Sequence, residues 1–286
     1  MADMKERLDL VDAAAAHDGV AAFSEPFRRA LQREAGHIYF ERFEAETLVG
    51  LAALAPDGSA ELAIAPDKRR RGHGAALVRE VLERNPHAGL WAHGNLPAAR
   101  GLAAALALEP TRTLYVMGLD GEGLDAATEV GDLGEFYALP YPQAVERFGK
   151  ESVEQQWLQV NNEAFSWHPE QGGWDLGQLR DAMDTDWFDP HGVWFIYDGE
   201  KLAGFHWTKQ HPGSVGEVYV VGLADGARGK NLGGPLLSLG VKHLVGGGAR
   251  RVILYVESDN EPAVRRYQQM GFVVDESHVV YSAGDK

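Results

Sequence analysis

The stretch that decides the fold is Val218-Tyr219-Val220-Val221-Gly222-Leu223, followed by Arg228-Gly229-Lys230-Asn231-Leu232-Gly233-Gly234. The first run is apolar and β-branched, which indicates a buried strand, and apolar residues at helical spacing continue over 235–244. A strand, a glycine-rich turn and a helix form an anion-binding cradle, because unpaired backbone N–H groups converge at the helix start and the helix dipole adds positive charge. The cradle is not a P-loop, since it lacks a Gly-Lys-Ser/Thr ending.

The same pattern occurs a second time, upstream. Ala60-Glu61-Leu62-Ala63-Ile64-Ala65 leads into Arg69-Arg70-Arg71-Gly72-His73-Gly74 and a helical pattern over 75–82. Further along each copy, Asn95-Leu96-Pro97 parallels Asn260-Glu261-Pro262, and each follows a short apolar strand. Two matching turns with matching downstream elements predict a tandem repeat of about 140 residues, an ordinary domain size.

The sequence patterns of the two halves predict the same order of elements. This order is typical of a mixed α/β fold in which helices cover a mixed sheet. In the first half we expect helices over 12–33, 73–84 and 96–107, and strands near 37–41, 47–54, 60–65, 89–92 and 112–118. In the second half we expect helices over 151–164, 175–184, 232–246 and 261–270, and strands over 193–198, 202–209, 215–222, 250–256 and 272–281. The predicted domains are 1–120 and 144–286, joined by a linker over 121–143 that is rich in Gly, Pro and acidic residues.

The basic turn after a strand resembles the acyl-CoA pyrophosphate loop of GNAT-type N-acetyltransferases, whose usual form is Gln/Arg-x-x-Gly-x-Gly/Ala. Asn231 stands where the first glycine of that loop usually sits, and asparagine tolerates a left-handed backbone better than other non-glycine residues. The resemblance implies two tandem GNAT domains that use acetyl-CoA as a substrate. It implies that acetyl-CoA is held in the second half by Val221, Gly222, Leu223, Arg228, Gly229, Lys230, Asn231, Leu232, Gly233, Gly234, Asn260, Glu261, Pro262, Ala263, Val264 and Arg265. In the first half the counterparts are Leu62, Ala63, Ile64, Arg69, Arg70, Arg71, Gly72, His73 and Gly74.

A candidate general base occurs only in the second half. Aligning Arg69 with Arg228 places Glu217 opposite Gly58. In GNAT enzymes a carboxylate on this strand often acts as the general base, which the resemblance assigns to Glu217. The alternative is an ordinary exposed strand residue.

A candidate general acid also occurs only in the second half. Aligning Asn95 with Asn260 places Tyr267 opposite Leu102, within an intact Asn-x-x-Ala-x-x-x-Tyr-x-x-x-Gly-Phe pattern. In GNAT enzymes this tyrosine often protonates the departing CoA sulfur; the alternative is a core tyrosine. With both groups replaced, the first half is expected to bind acetyl-CoA without catalysing transfer.

Beyond these motifs, most of the second half resembles the mycothiol synthase family of tandem GNAT enzymes. The resemblance lies in the blocks 161–174, 187–190, 204–209, 216–220 and 254–260. It implies acetyl transfer to the cysteinyl amine of a cysteine–glucosamine–inositol conjugate, with substrate contacts from Glu25, Glu170, Lys209, Glu217 and Tyr255. Six of the seven Trp residues lie between Trp157 and Trp207, where they either pack against sugar or fill the core.

Composition agrees with a soluble enzyme of two domains, for which we expect a cytoplasmic location and a monomeric state. The chain has 286 residues, 45% of them hydrophobic, which is enough for two cores. No apolar run reaches the length of about 18 residues that a membrane helix needs. There is no cysteine, and the 11 histidines show no metal-ligand spacing, so we expect no metal. A net charge of −15 argues against nucleic-acid or anionic-membrane partners.

Two alternatives to this function remain at the level of sequence. One is a different GNAT activity, such as acetylation of an aminoglycoside or of a protein N-terminus. The other is a non-enzymatic protein that binds CoA as a regulator. A Glu217–Tyr267 pair argues against the second, since a sensor needs neither group.

Overall fold

A computed structural model describes residues 2–33, 36–166 and 171–284. The chain forms two compact units. Unit 1 comprises Met1–Tyr115, Glu257–Asp259 and Glu276–Lys286, and unit 2 comprises Val116–Val256 and Asn260–Asp275. Each unit therefore takes most of its residues from one half of the repeat and a short segment from the other half.

The first half has nearly the elements that its periodicity predicts. They are α1 (Met4–Asp18), α2 (Glu25–Arg33), β1 (Ile38–Glu44), β2 (Thr47–Leu54), β3 (Ser59–Ile64), α3 (His73–Arg84), β4 (Gly89–Ala92), α4 (Pro97–Ala105) and β5 (Leu108–Asp120). Helix α1 begins earlier than predicted because Asp3 and Glu6 form a capping box at its start. Gly19, with φ +71°, ends α1, so the predicted helix over 12–33 is two helices.

The second half repeats this order after three short additional elements. Its elements are α5 (Gly121–Ala127), β6 (Tyr137–Pro140), α6 (Tyr141–Phe148), α7 (Lys150–Ala164), α8 (Leu176–Met183), β7 (Val193–Asp198), β8 (Lys201–His211), β9 (Val215–Leu223), α9 (Gly233–Gly246), β10 (Arg251–Glu257), α10 (Glu261–Gln269) and β11 (Val273–Ala283). The sequence analysis did not predict α5, β6 or α6. They are too short, and too interrupted by Gly and Pro, to show a period.

The sheet of unit 1 is completed by the last strand of the chain. Strands β1, β2 and β3 pair antiparallel in that order, and β3 pairs parallel with β4. Beyond β4 lies β11, which pairs antiparallel with it through Val279↔Ala92 and Tyr281↔Leu90. Helices α1 and α2 bury Leu10 and Phe27 against one face of this sheet, and α3 buries Leu77 against the other.

In unit 2, β9 pairs parallel with β10 and antiparallel with β8, and β7 and β6 follow at the edge. One face packs against α7 and α8 around Trp157, whose ring centroid lies 5.1 Å from that of Trp207. The other face packs against α9 through Leu236. None of the described helices is both long and apolar enough to cross a membrane.

Strand β9 contains one residue more than the stretch of β8 that it faces. Trp207 is opposite Val220 and Thr208 is opposite Val218, so Tyr219 is the extra residue of β9. This is a β-bulge, which shifts the alternation of side chains along the bulged strand. In unit 1 the corresponding pairing of β2 with β3 is regular, from Gly50↔Ile64 to Leu54↔Ala60.

A buried histidine joins α9 to the sheet of unit 2. His206 on β8 is fully buried, and its Nδ1 donates to the carbonyl of Leu236 at 3.0 Å. Its ring lies against Gly240, where any Cβ would collide with it. Burial, followed by the charge of His243, lowers the pKa of His206 to about 4 despite the backbone hydrogen bond.

We expect this histidine to make unit 2 acid-labile. The folded pKa lies below the ordinary value of about 6.5, so the unfolded chain binds the proton more readily. The stabilisation is present above pH 6.5 and is lost as the pH falls towards 4, by about 2 kcal/mol between pH 7 and pH 5. Denaturant unfolding of the wild type and of His206→Asn at both pH values measures this loss. An equal pH dependence in the two chains would contradict the role of His206.

Candidate active site

The turn that follows β9 has the geometry of an anion-binding cradle. After β9 a 3-10 helix over Asp225–Ala227 leads into the turn, and α9 begins without a side-chain cap. The first N–H groups of α9 are thus left for a ligand. Gly229 has φ +78° and Asn231 has φ +61°, which confirms that Asn231 accepts a left-handed backbone.

Unit 1 repeats this turn position by position. A 3-10 helix over Pro66–Lys68 precedes it, and α3 begins at His73, after Gly72, without a side-chain cap. The left-handed residues are Arg70, with φ +63°, and Gly72, with φ +89°. When Arg69 is aligned with Arg228, Arg70 falls on Gly229 and Gly72 falls on Asn231, so the left-handed positions of the two turns coincide.

In both units the cofactor strand separates from its parallel neighbour before it ends. Pairing of β9 with β10 covers Val215 to Val218, although β9 runs on to Leu223. Pairing of β3 with β4 covers only Ser59 and Ala60. The remaining N–H and C=O groups on that side of each strand face the gap, where they can bind an extended ligand or a carbonyl oxygen.

Unit 1 contains a cavity of about 410 Å³ at this gap. Eight of the nine residues that the sequence assigns to acetyl-CoA in the first half line it, namely Leu62, Ala63, Ile64, Arg69, Arg70, Gly72, His73 and Gly74. The ninth, Arg71, pairs with Glu44. Such a volume and mostly apolar lining are typical of small-molecule sites.

Several cations of the two turns already have acidic partners. Arg69 makes two hydrogen bonds to Asp18, at 2.7 and 2.8 Å. Glu44 accepts hydrogen bonds from His73 and Lys68, which with the nearby Arg71 lower its pKa to about 2. In unit 2, Arg228 lies 3.2 Å from Asp225 and Lys230 lies 3.9 Å from Asp198, all of them well exposed.

Glu217 is buried rather than exposed, being 6% accessible. Its Oε2 lies 2.5 Å from Nε2 of His211, and its other oxygen has no hydrogen bond to any described residue. The side chain of His211 is 30% exposed, so it connects the buried carboxylate with solvent. This is a carboxylate with one free oxygen and a titratable neighbour, as a general base needs.

The bulge at Tyr219 determines which way Glu217 faces. Lys209 lies two residues beyond Trp207 on β8, so both side chains face α7 and α8. Glu217 is opposite Lys209 and shares that face. In a regular strand, Glu217 and Val220 would point to opposite sides of the sheet, since they are three positions apart.

Three predicted substrate contacts meet on this face, from three neighbouring strands. Lys209 comes from β8, Glu217 from β9 and Tyr255 from β10, where Ile253 is opposite Glu217 and Tyr255 lies two residues further on. Tyr255 is 47% exposed. Lys209 extends over the ring of Trp187, with Nζ 4.7 Å from its centroid, so an aromatic surface adjoins the polar groups.

Two other predicted contacts do not join this cluster within the described chain. Glu170 lies outside the described residues, as do Trp167, His168 and Pro169. Glu25 lies in unit 1 at the start of α2 and pairs with Arg29 at 2.7 Å. Of the tryptophans, Trp157 and Trp207 fill the core, as the structural alternative expected.

Tyr267 is 8% accessible and packs edge-on against Phe272, with ring centroids 5.9 Å apart. Burial raises the pKa of Tyr267 to about 12. The phenol therefore keeps its proton at neutral pH. No described residue accepts a hydrogen bond from its hydroxyl, which leaves the proton available to a ligand.

The residues at the start of α10 either cap the helix or form an ion pair on its surface. The side chain of Asn260 accepts from the N–H of Ala263 at 3.4 Å and so caps the helix. Arg265 pairs with Glu261 at 2.8 Å on the exposed side. Arg266, one residue further on, lies across Gly234 at the start of α9.

Unit 1 has a buried carboxylate that the sequence analysis overlooked. Glu61 is 2% accessible and shares the α1/α2 face with Ala63. Both its oxygens are occupied, one by the N–H of Ser24 at 2.8 Å and one by Nε2 of His93 at 2.9 Å. Nδ1 of His93 lies 2.9 Å from Nδ1 of His278 on β11. Burial, then the charge of His93, lowers the pKa of His278 to about 4.

Local sequence patterns carry little signal for the other residues that surround the site. His211 lies six residues before Glu217 and meets it only because β8 turns back onto β9. The aromatic neighbours Trp187 and Tyr219 lie within blocks that the sequence analysis quoted, but no local pattern distinguishes a site residue from a core residue there. Over the described ranges, no group of three or more His, Cys, Asp or Glu side chains is placed to hold a metal.

The chain matches known proteins in both halves. The model of the acetyltransferase (GNAT) family matches residues 8–105 and again residues 155–272, which confirms the tandem repeat. A solved structure titled as a tandem GNAT protein from the clavulanic acid biosynthesis pathway has the same fold. It is similar with a TM-score of 0.67 at 18% identity, over 99% of this chain and 95% of that one.

Relatives at higher identity cover the whole chain. The mycothiol acetyltransferase of Corynebacterium aurimucosum is 46% identical over 99% of this chain and 96% of its own length. That of Corynebacterium efficiens is 46% identical over 92% of this chain and 87% of its own length. Each of the two family matches includes one of the two cofactor turns described above, and these relatives span both turns. The chain belongs to the GNAT family of acetyltransferases and, within it, to the mycothiol acetyltransferases.

Proposed function

We propose that this chain transfers an acetyl group from acetyl-CoA to the cysteinyl amine of the cysteine–glucosamine–inositol conjugate, the last step of mycothiol synthesis. We place the reaction in unit 2. The observation that carries this proposal is the meeting of Lys209, Glu217 and Tyr255 on one face, beside the strand that leads to the cofactor turn. A polar cluster next to an aromatic surface suits a sugar-bearing amine. We further propose that the chain acts as a monomer in the cytoplasm, without a nucleic-acid partner.

The acceptor makes modest demands on the base. An α-amine with a pKa of about 7.8 is already about 15% neutral at pH 7, so removing its proton costs only about 1 kcal/mol. A lysine amine, with a pKa of about 10.4, would cost about 4–5 kcal/mol. Glu217 takes this proton through its free oxygen, directly or through a water, and His211 can pass it on to solvent.

The acetyl donor is held at the gap between β9 and β10. The turn over Arg228–Gly234 and the start of α9 receive the pyrophosphate of acetyl-CoA. Once the amine attacks, negative charge develops on the thioester oxygen. A backbone N–H near Val221–Leu223, on the stretch that β10 no longer pairs, stabilises that charge.

Tyr267 assists departure of the CoA sulfur. Its raised pKa of about 12 lies above that of a thiol, about 8.5, so complete proton transfer from the resting phenol is uphill. Its main contribution is therefore a hydrogen bond to the developing thiolate, with the proton following as charge accumulates on sulfur. Such a bond to a charged group is worth about 1.5–3 kcal/mol.

Unit 1 binds acetyl-CoA but does not transfer the acetyl group. Its cavity is lined by the counterpart turn, so we interpret this cavity as room for the cofactor and not as the place of reaction. Glu61 faces as a base would, yet both its oxygens are held by Ser24 and His93. Leu102 stands where unit 2 has Tyr267.

Replacing Glu217 by Gln should lower turnover by about 100-fold or more, because the amide cannot accept the proton. Affinity for acetyl-CoA should change little. Steady-state acetylation of the cysteinyl conjugate, with Glu200→Gln as an exposed control, measures the effect. Near-normal turnover in the Glu217 variant would remove this residue from the mechanism.

Tyr267→Phe should lower kcat by about 10- to 100-fold, since one hydrogen bond to the departing thiolate is lost. Only one oxygen is removed, so packing against Phe272 should remain and the unfolding temperature should change little. Release of CoA measured under saturating conditions, together with thermal unfolding, separates the two roles. A much lower unfolding temperature with unchanged kcat would show that Tyr267 is a core residue only.

The two units should differ in binding and chemistry. Calorimetry should find up to two CoA sites per chain, whereas a single-turnover experiment should show acetyl transfer from one of them. Full transfer by a chain with Arg228→Glu and Gly233→Glu, which disable the turn of unit 2, would reverse this assignment. The experiment needs the intact chain, because unit 1 lacks its strand β11 in any fragment that ends before it.

A further inference from the structure

The loop between α8 and β7 contributes residues to both faces of the sheet of unit 2. Trp187 and Phe188 pack into the core on the α7/α8 face. Gly192, at the end of the loop, lies on the α9 side, where its carbonyl accepts a hydrogen bond from the hydroxyl of Thr208 at 2.8 Å. Asp189 lies between these two parts of the loop, so it connects the aromatic surface with the helix that follows the cofactor turn.

The carboxylate of Asp189 contacts one group inside the loop and one outside it. Its Oδ1 accepts a hydrogen bond from the N–H of His191 at 2.9 Å. Its Oδ2 lies 2.8 Å from Nε2 of His243, in the last turn of α9. The first contact shapes the loop locally, whereas the second fastens the loop to α9.

Gly192 leaves the space in which this contact forms. A Cβ at this position would lie 2.5 Å from Oγ1 of Thr208 and 3.1 Å from Nε2 of His243. A larger residue would therefore push the imidazole away from Asp189 or break the hydrogen bond that Thr208 donates. These contacts fix the end of the loop against both α9 and β8.

The other part of the loop forms the aromatic surface beside the predicted substrate contacts. The ring centroid of Trp187 lies 4.8 Å from that of Tyr219 and 5.8 Å from that of Trp207. Nζ of Lys209 lies 4.7 Å from the same centroid. Because only one residue separates Trp187 from Asp189, a displacement of the carboxylate would also displace the indole ring.

We propose that Asp189 and His243 are positioning residues for the acceptor. Through this pair, α9 holds the loop so that Trp187 lies beside Lys209 and Glu217, although neither member of the pair touches the reacting atoms. Both side chains are partly exposed, so the pair adds little to overall stability. Its effect is on binding, since a loop that is ordered in the free chain need not be ordered by the acceptor. This inference deepens the proposed function and rests on it for the acceptor assay.

The first test compares the KM of the cysteinyl conjugate with the KM of acetyl-CoA. Asp189→Ala should raise the KM of the conjugate by about 3- to 10-fold, as for the loss of one hydrogen bond, with kcat and the KM of acetyl-CoA largely kept. Asp186→Ala, which removes an exposed carboxylate from the same loop, is the matched control. A loss in kcat alone, or an equal KM of the conjugate in the two variants, would overturn the role of Asp189.

The second test asks whether His243 acts through Asp189. His243→Gln keeps an N–H donor and should retain most of the affinity for the conjugate, whereas His243→Leu should raise its KM as Asp189→Ala does. Combining Asp189→Ala with His243→Leu should raise this KM no further, because both substitutions break the same contact. Equal losses in the Gln and Leu variants, or losses that multiply in the double variant, would show that the two residues act separately and would overturn the proposal.

The third test needs no acceptor and so separates this inference from the proposed function. Amide hydrogen exchange over residues 184–193 of the full chain should be faster in His243→Leu than in the wild type or in His243→Gln, while calorimetry shows an unchanged affinity for CoA. If the wild type does not acetylate the conjugate although exchange responds in this way, the proposed function is wrong and the anchoring of the loop stands. Unchanged exchange, or faster exchange with an unchanged KM of the conjugate, would overturn the inference alone.

Discussion

The candidate site depends on one extra residue in one strand. Tyr219 is the extra residue of a bulge in β9. The bulge shifts the alternation of side chains, so odd-numbered positions face α7 and α8 before it and even-numbered positions face them after it. Through this shift Glu217 joins Lys209 beside the aromatic surface of Trp187. Beyond the bulge, β9 parts from β10 and leaves its backbone groups for the acetyl donor. The geometry of a single strand thus positions the proposed base, acceptor surface and donor site.

Unit 1 shows what the same fold does without the bulge. Its cofactor turn has the same pair of left-handed residues, and a cavity of about 410 Å³ lies beside it. The regular register of β3 brings Glu61 to the equivalent face, where Ser24 and His93 occupy both carboxylate oxygens. The His93–His278 contact uses that carboxylate to hold strand β11 in the sheet. A group that could act as a base has become part of the structure.

Local patterns in the sequence were enough to predict the repeat, the two turns and nearly all of the helices and strands. The prediction for Asn231 held because backbone conformation at a turn is a property of a few neighbouring residues. Contacts between segments that are distant in the chain could not be predicted from local patterns. Aligning the halves placed Gly58 opposite Glu217, and no local pattern distinguished Glu61 from an ordinary strand residue. His211, Arg266 and the crossing of β11 into unit 1 follow from strand pairing and helix packing, for which one sequence gives no local signal.

The central claim is that Glu217, the carboxylate oriented by the bulge, and not the more deeply buried Glu61 of unit 1, removes the proton from the amine. Single-turnover acetylation of the cysteinyl conjugate by full-length Glu61→Gln and Glu217→Gln chains, loaded with acetyl-CoA, tests it most directly. The account predicts a first-order rate close to wild type for Glu61→Gln and a rate lower by about 100-fold or more for Glu217→Gln. A large loss in Glu61→Gln, with Glu217→Gln close to wild type, would contradict it.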